Sequence, residues 1–167
     1  MIVGANGAGK STLLKIILGF VYPSSGYVEN NLFIGYVPEK ITVPPFVKVI
    51  DFLNNMCDIK NGNARDVIDY LEYWKITDAK DKRLGELSKG MLQKVIITQA
   101  FLGSPEVLIF DEALNGLDKE MQKKLLMLIK KEKEKGKIIL ITSHYQDYYK
   151  NVVDKTLVIK EGKLWEN

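Results

Sequence analysis

The pattern of apolar and polar positions changes along this chain, and the changes mark its elements. Met1-Ile2-Val3 is a stub of apolar strand that runs straight into glycines, and residues 11–18 follow as a helix stopped by Gly19. Tyr22-Pro23-Ser24-Ser25-Gly26 is a turn. Tyr27-Val28 and residues 32–37 read as short strands flanking Asn30-Asn31, with Pro38 ending the second. From Ile41 to about Gly103 the period becomes helical. Helices are expected over residues 47–57, then behind Asn63 with Val67, Ile68, Leu71 and Trp74 on one face, then over residues 89–102 behind Ser88. Residues 107–110 are a continuous apolar run, and residues 137–142 form a second, β-branched run past Gly136. Between them Met121, Leu125, Leu128 and Ile129 fall at i, i+4, i+7 and i+8 of an amphipathic helix. Residues 156–159 and 163–165 meet across Lys160-Glu161-Gly162 as a hairpin.

Strand, helix, strand in succession implies a buried parallel sheet. The predicted fold class is therefore α/β. A mostly parallel sheet core is built from residues 1–40 and 104–167, a helical insertion subdomain spans 41–103 and carries the helix behind Ser88, and a short β-hairpin closes the chain. A length of 167 residues suits one such domain.

Composition narrows the class further. Hydrophobic residues at 46% and charged residues at 27% exclude a disordered or low-complexity chain. The longest aliphatic run, residues 138–141, is far short of the ~18 residues of a spanning helix, and the first residues lack a signal-peptide pattern. A soluble, non-exported chain without a transmembrane segment is expected. One cysteine, Cys57, and one histidine, His144, exclude an internal disulfide and a Cys/His zinc site. The net charge is +3, and residues 118–137 alone hold eight lysines against four acids. These lysines lie opposite the apolar stripe and read as a solvated helix face, so no nucleic-acid partner is expected.

The first chemical motif is Gly4-Ala5-Asn6-Gly7-Ala8-Gly9-Lys10-Ser11, which fits G-x-x-x-x-G-K-[ST] and lies between a strand and a helix, where the pattern demands. Its glycines allow a loop tight enough for successive backbone N–H groups to point at anionic oxygens, and the helix N-terminus adds positive partial charge. Lys10 would reach the β- and γ-phosphates and the Ser11 hydroxyl would bind Mg²⁺. The triphosphate-binding set is thus Gly4, Asn6, Gly7, Ala8, Gly9, Lys10, Ser11 and the adjoining Thr12. The second motif is Leu108-Ile109-Phe110-Asp111-Glu112, an apolar strand that delivers two adjacent carboxylates at the end where open α/β sheets bind ligands. Asp111 would hold Mg²⁺, directly or through water, and Glu112 would act as general base on the attacking water.

Further along, Leu87-Ser88-Lys89-Gly90-Met91 opens a helix, Asn115-Gly116-Leu117-Asp118 follows Glu112, and Ser143-His144 follows an apolar strand. Together with the phosphate loop and the double carboxylate, these resemble, in order, the motifs of ABC-type ATPases: the signature, the D-loop and the switch histidine. The resemblance covers essentially the whole chain. It implies a P-loop ATPase with ATP and Mg²⁺ as ligands, working as a head-to-tail dimer in which ATP on one phosphate loop is covered by the other subunit's signature. By that resemblance Ser88, Lys89 and Gly90 act in trans, Asp118 belongs to the D-loop, and His144 contacts the γ-phosphate and helps position the water. Trp74, Trp165 and the Tyr148-Tyr149 pair read as packing or surface aromatics.

Three departures from the family pattern stand out. Glu39 occupies the place usually held by Gln after Ile34-Gly35-Tyr36-Val37-Pro38; it could still bind Mg²⁺ or its water but adds negative charge beside the phosphates. Lys89 and Met91 replace the frequent Gly and Gln of the signature, a variant similar to that of bacterial exporters whose membrane domain is a separate subunit. Only nine residues precede Lys10, whereas family members carry a few dozen more, including antiparallel strands and an adenine-stacking aromatic. An N-terminally shortened version of the ATPase is therefore expected, with a native short form as the alternative.

The function expected from this resemblance is ATP hydrolysis for a membrane transporter, an exporter by its signature. The chain would sit peripherally on the cytoplasmic face of the membrane, docked to a membrane-spanning subunit encoded elsewhere and paired with itself or a paralogous ATPase subunit. The alternative is a catalytically weak or regulatory fragment lacking the adenine-stacking strands. A DNA-repair ATPase split by a long coiled coil has no room here, since only 77 positions separate Lys10 from Leu87. No Asn-Lys-x-Asp guanine reader occurs, which favours adenine.

Overall fold

The computed structural model describes residues 1–29 and 31–166. Among these, six strands form one sheet in the order β2-β3-β4-β1-β5-β6. They are β1 (Ile2–Val3), β2 (Ile34–Val37), β3 (Val107–Asp111), β4 (Ile138–Thr142), β5 (Leu157–Lys160) and β6 (Lys163–Glu166). All neighbours are parallel except β6, which returns antiparallel along β5. The apolar run of β3 is explained by its position: it is flanked by strands on both edges and buried at every residue. Its side chains alternate between two cores, Leu108 and Phe110 facing one and Val107 and Ile109 the other.

The larger core packs helices α2 (Val49–Ile59), α3 (Ala64–Tyr73), α4 (Lys89–Phe101) and α5 (Lys119–Glu134) against one sheet face, through residues such as Leu53, Leu71, Trp74, Val95 and Leu125. The smaller core seats α1 (Lys10–Ile17) on the other face through Leu14, against Ile2, Ile109 and Ile159. Helix α4 is buried nearly all round, which is why its sequence lacks a one-sided stripe. A four-residue helix, α6 (Gln146–Tyr149), follows β4.

The register of the central strands positions the site. Ile2 pairs with Thr142, and Asp111 pairs with Thr142 from the other side. The chain segments leaving β1, β3 and β4 therefore emerge side by side at one rim of the sheet. Along β4, Met1, Leu140, Ile141, Val152 and Leu157 line an apolar cleft of about 330 Å³.

Several boundaries differ from the expectation. Helix α2 starts at Val49 because Lys48 is extended and bridges to Arg83, while the Val47 carbonyl accepts from the Leu84 amide. Tyr27 and Val28 form no strand: no strand among the described residues lies beside them, and Tyr27 is 85% exposed. The strand expected over 32–37 begins only at Ile34, and Asn30, between the two expected strands, lies outside the described residues. Ile68 is on the flank of α3, 39% exposed, whereas Val67, Leu71 and Trp74 are buried. On α5, Met121, Leu125 and Ile129 face the core, but some lysines of the stretch are not merely solvated: Lys124 and Lys133 donate to the carbonyls of Tyr73 and Val152, and Lys135 and Lys137, just past the helix, pair with buried Glu132.

Gly35 is where β2 meets α4. A Cβ there would lie 1.9 Å from the Ala100 carbonyl oxygen and 2.9 Å from its carbon, both backbone atoms that cannot turn away. Gly35→Ala should cost about 1–3 kcal/mol of stability, seen as a lower urea midpoint at unchanged slope; an unchanged midpoint contradicts this packing.

Candidate functional site

The phosphate-loop motif forms the turn between β1 and α1. Gly7 and Gly9 have φ of 78° and 104°, in the left-handed region that side chains disfavour. Gly9 is the N-cap of α1 and offers no side chain to its amides; the first helical bond runs from the Leu13 amide to the Gly9 carbonyl. The amides of Lys10, Ser11 and Thr12 therefore precede any helical partner, and no acidic side chain occupies the first turn to compete for them. Gly4 is needed for a different reason: a Cβ there would stand 2.7 Å from the Ile159 carbonyl oxygen, so the loop could not approach β5.

Within the loop the Ala8 amide donates to the Ala5 carbonyl at 3.1 Å, closing a turn. Lys10 arches back over the loop, its Nζ donating to the carbonyls of Gly4 at 2.8 Å and Ala5 at 3.2 Å.

The opposite wall comes from the ends of β3 and β4. Asp111 is buried, and its Oδ1 accepts a short hydrogen bond from the Thr142 hydroxyl. Glu112 has a φ of 53°, strained for a residue with a side chain, and its amide donates to the Thr142 carbonyl at 3.1 Å. Its carboxylate is almost wholly buried, with 5% of the residue exposed. Oε2 accepts from the His144 amide at 3.3 Å, while Oε1 has no hydrogen-bond partner and lies 3.5 Å from His144 Nε2. The site thus holds a buried general-base candidate with one oxygen unpartnered, beside an imidazole that is about half exposed.

These walls enclose a cavity of about 320 Å³ lined by Asn6, Gly7, Gly9, Lys10, Ser11, Thr12, Glu39, Asp111, Glu112 and His144. The fold therefore brings together most of the residues singled out in the sequence; Gly4 and Ala8 belong to the loop without facing the cavity. Its electrostatics are lopsided, with three carboxylates against the ammonium of Lys10. Nearby Tyr36 registers the same field: burial pushes its hydroxyl up to about 12, and the charges of Asp111 and Glu39 push in the same direction. A polyanion entering such a cavity needs a divalent cation. Ser11, Glu39 and Asp111 supply hard oxygen donors of the kind Mg²⁺ takes, while no group of three or more His, Cys, Asp or Glu among the described residues could hold a metal unaided. The fit is to a metal whose coordination is completed by phosphate and water.

Ser88, Lys89, Gly90 and Asp118 lie outside this cavity. Ser88 caps α4, its Oγ accepting from the Met91 amide at 3.2 Å, which leaves its O–H free to donate. Asp118 caps α5 through the Met121 amide at 2.9 Å. Thr142 was not singled out in the sequence, since its role rests on the register opposite Asp111. Gln93, a buried polar residue on α4 that donates to the Ala113 carbonyl, was missed because its role rests on the packing of that helix.

The family model described as ABC transporter matches residues 1–115. An uncharacterized ABC transporter ATP-binding protein of Methanocaldococcus jannaschii is 34% identical over 166 residues, 97% of this chain and 63% of that protein's length. A zinc import ATP-binding protein of Psychrobacter cryohalolentis is 39% identical over 125 residues, 72% of this chain and 51% of that protein. Among solved structures, an ATP binding subunit of an ABC transporter superposes with a TM-score of 0.91 at 26% identity, covering 99% of this chain and 76% of that one. The chain thus spans under two thirds of the archaeal relative.

Among the described residues Lys10 is the one ammonium on the cavity wall. Lys10→Met should weaken Mg·ATP binding at least ~10-fold, the loss of a charge-assisted contact, with the melting temperature unchanged, as measured by calorimetric titration. Equal affinity in the variant contradicts this assignment.

Proposed function

The chain belongs to the ABC transporter ATP-binding family, and on that premise we propose that it is an ATP-binding and ATP-hydrolysing subunit of a membrane transporter. The observation that carries this reading is buried Glu112 on the wall of the same cavity as the phosphate loop, its Oε1 without a hydrogen-bond partner. ATP would lie with its phosphates on the loop of Gly4, Asn6, Gly7, Ala8 and Gly9, against the amides of Lys10, Ser11 and Thr12. Lys10 is placed to turn from the loop carbonyls onto the β- and γ-phosphates. Glu112 accepts a proton from the attacking water, and the His144 ring, 3.5 Å from that carboxylate, holds the water and the γ-phosphate in line. Asp111 is kept in place by the Thr142 hydroxyl, so that it, Ser11 and Glu39 can hold Mg²⁺; when bound, the ion neutralises phosphate charge.

Ser88, Lys89, Gly90 and Asp118 lie outside the cavity of their own chain, which favours their completing a second copy's site. We therefore take the working unit to be a head-to-tail dimer clamped on two ATP, either of this chain with itself or with a paralogous subunit. Residues 1–40 and 104–167 act as the ATP-binding core, and residues 41–103 as the signature-bearing subdomain that meets a membrane-spanning subunit. No helix among the described residues is long and apolar enough to cross a membrane, in keeping with a peripheral place on the cytoplasmic face. Lys89 and Met91 favour export, although one relative is named for zinc import. The lysines on and just after α5 that pair with Glu132 or cap carbonyls leave little reason to propose a nucleic-acid partner.

A second reading, a catalytically weak regulatory subunit, draws on two features: among the described residues no Phe, Tyr or Trp lines the cavity, and Glu39 adds a third carboxylate. Stacking on an aromatic is worth about 1–3 kcal/mol to a base. Glu112→Gln separates the two. The account expects phosphate release to fall ~100-fold or more while labelled ATP stays bound through gel filtration. Undiminished release from the variant would contradict Glu112 as the base, and a wild-type chain that binds ATP without releasing phosphate would favour the regulatory subunit.

A further inference from the structure

We infer that Gln93 is a positioning residue that ties the signature helix to the backbone carrying Glu112, so that a displacement of α4 alters the geometry of the catalytic carboxylate in the same chain. Gln93 is buried, and its Nε2 donates at 3.0 Å to the carbonyl of Ala113, the residue directly after Glu112. The backbone it holds is the strained one. Glu112 has its φ of 53° between two hydrogen bonds, its amide to Thr142 and its carbonyl to the Asn115 amide at 3.0 Å.

The first turn of α4 grips the same segment at a second point. A Cβ on Gly90 would stand 2.7 Å from the Gly116 carbonyl oxygen, and the stem of Lys89 lies 3.5–3.8 Å from the place a Cβ on Gly116 would take. From the far side Gln122 donates to the carbonyls of Leu114 at 3.3 Å and Leu117 at 3.2 Å. Residues 113–117 are thus clamped between α4 and α5, and close packing of this kind transmits a shift instead of absorbing it. Ser88 and Gly90 begin α4, and Gln93 lies on the same helix.

In the dimer proposed above, α4 reads the ATP bound by the other subunit while Glu112 acts on its own. Gln93 then couples the two sites: occupancy of one sets the backbone of the carboxylate at the other. The coupling rests on the ATPase reading; the clamp itself does not.

Gln93→Met keeps the length of the side chain and removes the donor. In the full chain it should lower kcat about tenfold, leave KM for ATP within about twofold, and bring the Hill coefficient for ATP to one. Hydrogen exchange of the amides of residues 112–117, measured without nucleotide, should rise at least ~10-fold in the variant while exchange in α5 is unchanged. Wild-type kcat and cooperativity in the variant, or unchanged exchange at 112–117, overturns the inference. So does a uniform rise in exchange across the chain, which marks a loss of stability instead of a lost position. Should the wild-type chain hydrolyse no ATP, the ATPase reading falls, and exchange at residues 112–117 still decides the clamp.

Discussion

Thr142 sets the level at which three parallel strands end, and the site depends on that level. It lies opposite Asp111 on one side and opposite Ile2 on the other. Its hydroxyl bonds the Asp111 carboxylate and its carbonyl receives the Glu112 amide. A slip of one residue in this register would turn Asp111 to the other face of the sheet and carry the phosphate loop away from both carboxylates. The apolar run of β3 serves the same end. Burying every residue of the strand fixes where its two acids emerge.

Placing two acids at a buried strand end is costly unless their oxygens find partners. Asp111 has its partner in Thr142. Glu112 is served on one oxygen by the His144 amide and left open on the other, with its backbone held in a strained conformation. An unsatisfied acceptor and local strain at one residue mark a position kept for chemistry over stability. The helices supply the compensation: α4 and α5 bring Gln93 and Gln122 to the carbonyls that follow, so the segment after Glu112 is anchored by side chains from two directions.

Features that depend on local backbone geometry were legible in the sequence. The phosphate loop could be read because only glycine accepts the φ of residues 7 and 9, and the caps at Asn63 and Ser88 because short polar side chains bond amides two or three residues on. The strand core and the closing hairpin followed from runs of apolar residues. What escaped was non-local. The start of α2 moved because Lys48 is drawn into a bridge with Arg83, some 35 residues away. Tyr27 and Val28 have strand-forming side chains but no neighbouring strand to pair with. The roles of Thr142 and Gln93 arise only when register and helix packing bring them to Asp111 and Ala113.

The central claim is that the signature at the start of α4 faces a nucleotide on another subunit, so the site is complete only between two chains. Sedimentation velocity of the purified chain with Mg·ATP and with Mg·ADP tests it most directly. The account predicts a dimer with ATP and a monomer with ADP. A chain that binds ATP and stays monomeric would contradict it.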